Sequence, residues 1–293
     1  MYMLFLIATR IIPRLPRRFV MSLTGVIGFM AWVVASKARK QATANILHVL
    51  GPQLRTTRTG RRRLRKTVRG MFKNNTRNYL EMFYLPNMKT GELTGVMQAI
   101  EGIEHLEKAL ALGKGVILVS AHIGPINYLS QWFAAKGYAT TIPVERLRDE
   151  RMLNLQLALR GGHGVTFTPL GGSAPIRAMI QALRKNQLVL ITGDRAVVGE
   201  HIERPFFGAP ARLPSGPVEL AQRTGAAILC AFGWREPGNR IGGRFFAVSL
   251  ALPDEARNDF EALEGRIIEV MEEVIAAHPE QWVVFSQVWT DKT

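Results

Sequence analysis

The sequence predicts an α/β fold: a central, largely parallel or mixed sheet covered by helices, preceded by basic apolar helices that associate with a membrane. Three observations carry this. From residue 116 onward, short apolar runs alternate with segments of helical periodicity, the order expected of strand–helix units. Runs such as "VILV" and "LVLI" are continuously apolar, as in strands buried on both faces. The first 80 residues hold 17 Lys+Arg and no Asp or Glu, a texture unlike the rest.

Taken in order, Arg10, Arg14, Arg17 and Arg18 are spaced among Leu, Ile and Phe, which reads as an amphipathic basic helix. Residues 19–36 are 18 positions without a charge, flanked by cations on both sides. That length is the lower limit for crossing a bilayer, so the run spans, lies along the surface, docks on the protein or is plain core. Helices are expected over 70–85 and 101–112, the latter from Ile103, Leu106, Ala109 and Leu110. Strands are expected over 116–120, 139–144, 165–168, 188–192, 227–232 and 245–250. Helices are expected over 127–136, 148–160, 174–185, 216–224 and, last, 259–278, followed by an apolar end. The division is a membrane-associating helical segment, 1–85, and one α/β unit, 86–293.

The chain of 293 residues carries net charge +15, yet beyond residue 80 it has 21 basic against 23 acidic groups. One end therefore faces a polyanion. The apolar content argues for anionic lipid head groups over nucleic acid, because the basic tract 55–66 has no interleaved aromatics and no nucleic-acid-binding module is present. Near an anionic leaflet such cations contribute about 1 kcal/mol each. The single cysteine, Cys230, reads as a small buried hydrophobe in a reducing compartment and excludes a disulfide framework or a Cys metal site. His163 and His201 lack the spaced partners of a zinc site, so no metal is expected. Trp282 and Trp289 read as core or membrane-interface anchors.

In parallel sheets chemistry collects at the carboxyl ends of strands. His122 and Asp194 each lie just past such an end. His122 suits a general base, although a lone histidine is more often structural. Gly124 and Pro125 allow a tight turn and a helix start, from which Asn127 can reach back to the ring. The segment 206–216, "FFGAPARLPSG", reads as a rigid loop bringing Arg212 to a helix start, where an anionic group binds; a simple connector is the alternative. "LGGS", 170–173, is a weaker anion cradle.

Several blocks carry a resemblance. "HIGPIN" resembles the H-x-G-x-W-[DE] motif of the lipid A biosynthesis acyltransferases, within the glycerolipid (lysophospholipid) acyltransferase superfamily. "ATANILHVLG", "VERLRDERM", "GDR", "ERPFFGAPARLPSGPVELAQRTGAAI" and "HPEQWVVFSQVW" are similar to further segments in the same order, with the VERL and GDR blocks closer to the phosphatidylinositol mannoside acyltransferase branch. The resemblance covers essentially the whole chain. It implies a glycerolipid-acyltransferase-like fold and acyl transfer from a thioester donor, acyl-CoA or acyl-ACP as co-substrate, to a hydroxyl of a lipid or glycolipid acceptor. His122 is the implied base, and no cofactor is implied. The family's acid position holds Asn127, and an amide cannot stabilise an imidazolium as a carboxylate does. Glu145 is the leading substitute, Asp194 the second and Glu203 the third. Arg195, Glu203 and Arg212 are candidate substrate contacts. The alternative is a catalytically impaired homologue that binds acyl chains. The expected location is the cytoplasmic face of the inner (plasma) membrane, reached peripherally, monotopically or by one N-terminal span.

Overall fold

A computed structural model describes residues 2–161, 164–196 and 201–290; the reading of His163 lies outside the described residues. In chain order the elements are α1 (Tyr2–Ile11), α2 (Arg17–Ser22), α3 (Thr24–Val34), α4 (Ser36–Leu50), α5 (Arg58–Met82), α6 (Thr90–Val96), β1 (Met97–Glu101), α7 (Ile103–Ala111), β2 (Val116–Ser120), α8 (Ile126–Ala135), β3 (Thr140–Val144), α9 (Glu150–Arg160), β4 (Val165–Pro169), α10 (Ala174–Arg184), β5 (Leu188–Thr192), β6 (His201–Phe206), β7 (Ala209–Pro214), α11 (Gly216–Thr224), β8 (Ala227–Arg235), β9 (Ile241–Ala247) and α12 (Phe260–Ala277).

Seven strands form one sheet in the order β1-β9-β8-β2-β5-β3-β4. Every neighbouring pair is parallel except β8 with β9, so the fold is α/β with a mostly parallel sheet. Central strands are apolar at nearly every position because both faces are covered. Ile117 and Val119 of β2 pack with residues of α10, α11 and α12, such as Leu183, Val218 and Ile267, while Val116 and Leu118 pack with Leu106 of α7 and Phe133 of α8. Cys230 is fully buried in β8.

The basic N-terminal half folds on α5. Leu64, Val68, Met71 and Phe72 recur at helical spacing and bury against Ala42, Ile46 and Leu47 of α4, leaving Arg61, Arg62, Arg63, Arg65 and Lys66 exposed. Thr57 caps the helix, its hydroxyl accepting from the Gly60 amide at 2.9 Å. Together α2 and α3 make one stretch, Arg17–Val34, long and apolar enough to cross a membrane by length and composition, with mean hydropathy 1.3 and only 17% of its residues buried. Its Gly28 lies so close to α5 that a Cβ would stand 2.8 Å from Lys73 Cα, and Phe29, Met30, Val33 and Val34 are left exposed.

Some sequence expectations need correction. The helix expected over 70–85 starts at Arg58, because its four-residue apolar spacing begins among the arginines. The last sheet strand is Ile241–Ala247, not 245–250, its Gly242-Gly243 pair having masked the pattern. Strand Met97–Glu101 was not foreseen. The segment read as a loop over 206–216 is largely a β-hairpin, β6–β7, closed at Phe207 and Gly208, both at positive φ (52° and 73°), as a two-residue hairpin turn requires. Pro205 faces Pro210 across a two-stranded ribbon, where a missing amide is tolerated.

Two stability predictions follow from this packing. Glu264 on α12 is buried, and desolvation, with Glu261 and Glu219 nearby, raises its pKa from 4.5 to about 7 despite Arg204. A carboxyl with a raised folded pKa holds its proton more tightly when folded, so its contribution is fully present below about pH 4.5 and is lost as pH rises through 7. Glu264→Gln is expected to melt like wild type at acidic pH and to be more stable by up to about 3 kcal/mol at slightly alkaline pH; equal melting curves across the range would refute this. Gly124, at φ +57°, approaches β8 so closely that a Cβ would sit 2.1 Å from the Gly233 carbonyl oxygen. Gly124→Ala is expected to lower stability by about 2 kcal/mol or more in denaturant titrations.

Candidate active site

The site begins with strand register. β2 and β5 are adjacent and parallel, with Ser120 opposite Thr192. The ladder extends one step further through the Gly193 amide, which donates to the Ser120 carbonyl at 2.8 Å. Two residues past each strand end therefore come His122 and Asp194, side by side. Asp194 Oδ1 lies 2.8 Å from His122 Nδ1, and Asp194 Oδ2 accepts from the His122 amide at 2.9 Å and from Trp282 Nε1 at 2.7 Å.

This carboxylate is fully buried, whereas the His122 side chain is 29% exposed. Burial pushes the Asp194 pKa up, but the facing imidazole and the hydrogen bonds from His122 and Trp282 outweigh it and hold the carboxyl below its ordinary range. With Nδ1 engaged by Asp194, Nε2 is the ring nitrogen left for chemistry.

The chain after α12 makes this possible. Ile123 and Trp282 form an antiparallel bridge, the Val283 amide donates to the His122 carbonyl at 2.8 Å, and the Gly124 amide donates to the Gln281 carbonyl at 3.0 Å. A further set of polar contacts clamps the loop from α5 and β8. Asn78 Nδ2 donates to the Gly124 carbonyl at 3.0 Å; Arg235 donates to Asn78 Oδ1 at 2.6 Å and is ion-paired with the buried Glu81. Gln281 exchanges hydrogen bonds with the Arg235 backbone, 2.8 and 2.9 Å.

His122 lines a cavity of about 980 Å³ bounded by the carboxyl ends of β3 and β5 and by α8, α9 and α10. Apolar walls come from residues such as Ile142, Leu153, Phe167, Met179, Leu190 and Val284, and polar atoms from Asn75, Tyr79, Asn127, Ser130, Gln156 and Arg160. Arg160 reaches Gln156 and the Met82 sulfur but, among the described residues, has no carboxylate partner.

The expected site residues divide sharply. His122 and Asp194 meet. Asn127 stands on the cavity wall in the first turn of α8, and among the described residues no hydrogen bond joins it to His122; the loop sets it off from the ring, and Asp194 fills the Nδ1 position instead. Glu145, expected first as the substitute acid, is bound 3.1 Å from Arg195 on the same wall, turned to that cation and not to His122. Glu203 and Arg212 do not line the cavity. They are register partners on the β6–β7 hairpin, exposed because the alternate residues Ala211 and Leu213 take the buried face. His201 is exposed on β6. Among the described residues no cluster of three His, Cys, Asp or Glu side chains forms a metal-binding group. The sequence reading missed Trp282 as a site residue, although it sits in the "EQWVV" block, and Arg160, whose position in the last turn of a helix carries no local signal.

Comparison with known proteins agrees with this architecture. The family model described as bacterial lipid A biosynthesis acyltransferase matches residues 1–291. A phosphatidylinositol mannoside acyltransferase of Mycobacterium tuberculosis is 32% identical over 216 residues, covering 73% of this chain and 67% of that protein. One from Mycolicibacterium smegmatis is 27% identical over 224 residues, covering 76% and 72% respectively. The whole-chain match, together with these relatives, means that the chain belongs to the bacterial lipid A biosynthesis acyltransferase family, in its phosphatidylinositol mannoside acyltransferase-like branch, a family of lipid acyltransferases.

Proposed function

We propose that the protein moves a fatty acyl chain from a thioester, on coenzyme A or acyl carrier protein, to a hydroxyl of a lipid or glycolipid, with His122 as general base and Asp194 as its acid partner. The observation that carries this is the 2.8 Å contact between His122 Nδ1 and a fully buried Asp194, on the wall of a cavity of about 980 Å³. Asp194 holds the proton on Nδ1, so Nε2 presents its lone pair. Nε2 takes the proton of the acceptor hydroxyl, and the oxygen attacks the thioester carbonyl carbon. The tetrahedral oxyanion then collapses, the C–S bond breaks, and the leaving thiolate recovers the proton from the imidazolium. This sequence of bonds needs neither a metal nor a redox cofactor.

The cavity supports a long apolar acyl group and a polar acceptor together, its volume lying near the upper end of ordinary small-molecule sites, about 300–1,000 Å³. Its amides, hydroxyls and the cations Arg160 and Arg195 suit a sugar or phosphate-bearing head group. The phosphatidylinositol mannoside relatives support a glycolipid acceptor. The exposed apolar stretch at residues 17–34 and the N-terminal cations support action at an anionic membrane surface, on the cytoplasmic face of the inner membrane. A catalytically impaired acyl-chain binder, the reading that Asn127 suggests, is the alternative; the contact of His122 with Asp194 favours the catalytic reading over it.

With labelled palmitoyl-coenzyme A and a panel of lysolipids and mannosylated lipids, wild type is expected to yield a labelled lipid. His122→Ala and Asp194→Asn should lower its kcat by about 10³-fold or more, whereas Asn127→Ala and Glu145→Gln stay within about tenfold. A fully active Asp194→Asn would sink the pairing. Trp282→Phe keeps the ring volume but removes one donor from Asp194. It is expected to lower kcat about tenfold with KM unchanged. An unchanged kcat would reduce Trp282 to packing alone.

A further inference from the structure

A second cavity, of about 710 Å³, opens between α4, α5 and the C-terminal segment near residues 287–289. Lys37, Arg39, Lys40, Arg55, Arg61 and Arg65 line it, and among the described residues no carboxylate does. None of the six is ion-paired to a described acid. Arg39 is turned to the carbonyls of Trp32 and Val33 at the end of α3, and Arg61 donates to the carbonyls of Arg55 and Thr56 at 3.0 and 3.3 Å. Arg39 and Arg65 lie 5.0 and 5.1 Å from the Trp32 ring centroid. Six cations in one concavity with no carboxylate among its described lining residues repel one another, and an anion of the phosphate class would relieve that repulsion.

We infer that this cleft binds the phosphate of an anionic membrane lipid head group. The lipid source follows from the helix that supplies Trp32: the Trp32 ring stacks on Phe29 at 5.8 Å, and Phe29, Met30 and Val33 of that helix, α3, are exposed, so a phosphate among the arginines would have an apolar helix surface for its acyl chains. The inference rests on the proposed membrane association but not on acyl transfer. It also ties the membrane to the active site. Asn45, in the cleft wall, donates to the carbonyls of Val284 and Ser286 at 3.0 and 3.1 Å, and both of these residues line the catalytic cavity.

The test is co-sedimentation of the full chain with two kinds of vesicle, phosphatidylcholine alone and phosphatidylcholine mixed with phosphatidylglycerol. Neutral vesicles report apolar insertion, and the gain on adding phosphatidylglycerol reports the cleft. Arg61→Gln/Arg65→Gln, and separately Lys37→Gln/Lys40→Gln, whose lysines make no hydrogen bond among the described residues, are expected to cut that gain about tenfold. Arg62→Gln/Arg63→Gln removes the same charge from exposed positions outside the cleft and should change it about twofold at most. Equal losses in all three pairs would overturn a discrete cleft in favour of diffuse attraction. Binding to neutral vesicles with no anionic gain would overturn the cleft alone, and binding to neither would overturn the membrane reading with it. Binding of inorganic phosphate or 3′,5′-ADP that the cleft pairs abolish, with no gain on adding phosphatidylglycerol, would overturn the lipid source in favour of a soluble phosphate.

Discussion

The site depends on a buried carboxylate that stays charged. Moving an isolated carboxylate out of water costs several kcal/mol, and it ionises in the interior only where donors and an opposite charge replace the lost hydration. Asp194 receives three such contacts, from the His122 ring, the His122 amide and the Trp282 indole, and its carboxyl is held below the ordinary range although it is fully buried. The geometry of His122 is the counterpart of that requirement. The same carboxylate grips both the ring and the backbone of one residue, which leaves the imidazole little freedom to turn away from the cavity.

That grip works because the loop carrying His122 is braced from several directions. The segment 281–283 adds to it in the manner of a strand, Gly124 lies against the backbone of β8, and Asn78 reaches the loop from α5. Behind Asn78, Arg235 and Glu81 form a buried ion pair. Such pairs add little net stability compared with apolar packing, but breaking one is costly, so they discriminate strongly against misaligned arrangements. Here the pair fixes the approach of α5, a helix that begins in the basic N-terminal half, to the strand end beside the loop.

α5 also links the two chemically different halves of the chain. Its apolar stripe packs on α4, its outer face carries the exposed arginines, and its last turns enter the polar brace beneath the active site. The C-terminal segment makes the same link in the other direction. Val284 and Ser286 face the cavity that His122 lines while Gln287 and Trp289 face the cationic cleft, and Trp289 packs edge-on against Trp282. Surface charge and the His122–Asp194 pair thus share two elements.

What the sequence by itself determined was local. The strands Val116–Ser120 and Leu188–Thr192 and the helix Gly216–Thr224 were legible, because a doubly covered strand is apolar along most of its length and a surface helix must repeat at its own period. The positions of His122 and Asp194 just beyond strand ends were legible for the same reason. Strand Ile241–Ala247 and the β6–β7 hairpin were not, since the Gly242-Gly243 pair blurs the period of the first and prolines, tolerated in a two-stranded ribbon, that of the second. Tertiary structure alone decided which acid meets the imidazole. Asn127 is near His122 in sequence and Glu145 near it in motif order, yet Asp194, 72 residues away, makes the contact. Strand neighbours and register arise from long-range pairing and from layers packed on both faces, and no local spacing encodes them. Trp282 stands at the site for that same reason, delivered by a chain end that pairs with the loop only once the sheet beneath it has formed.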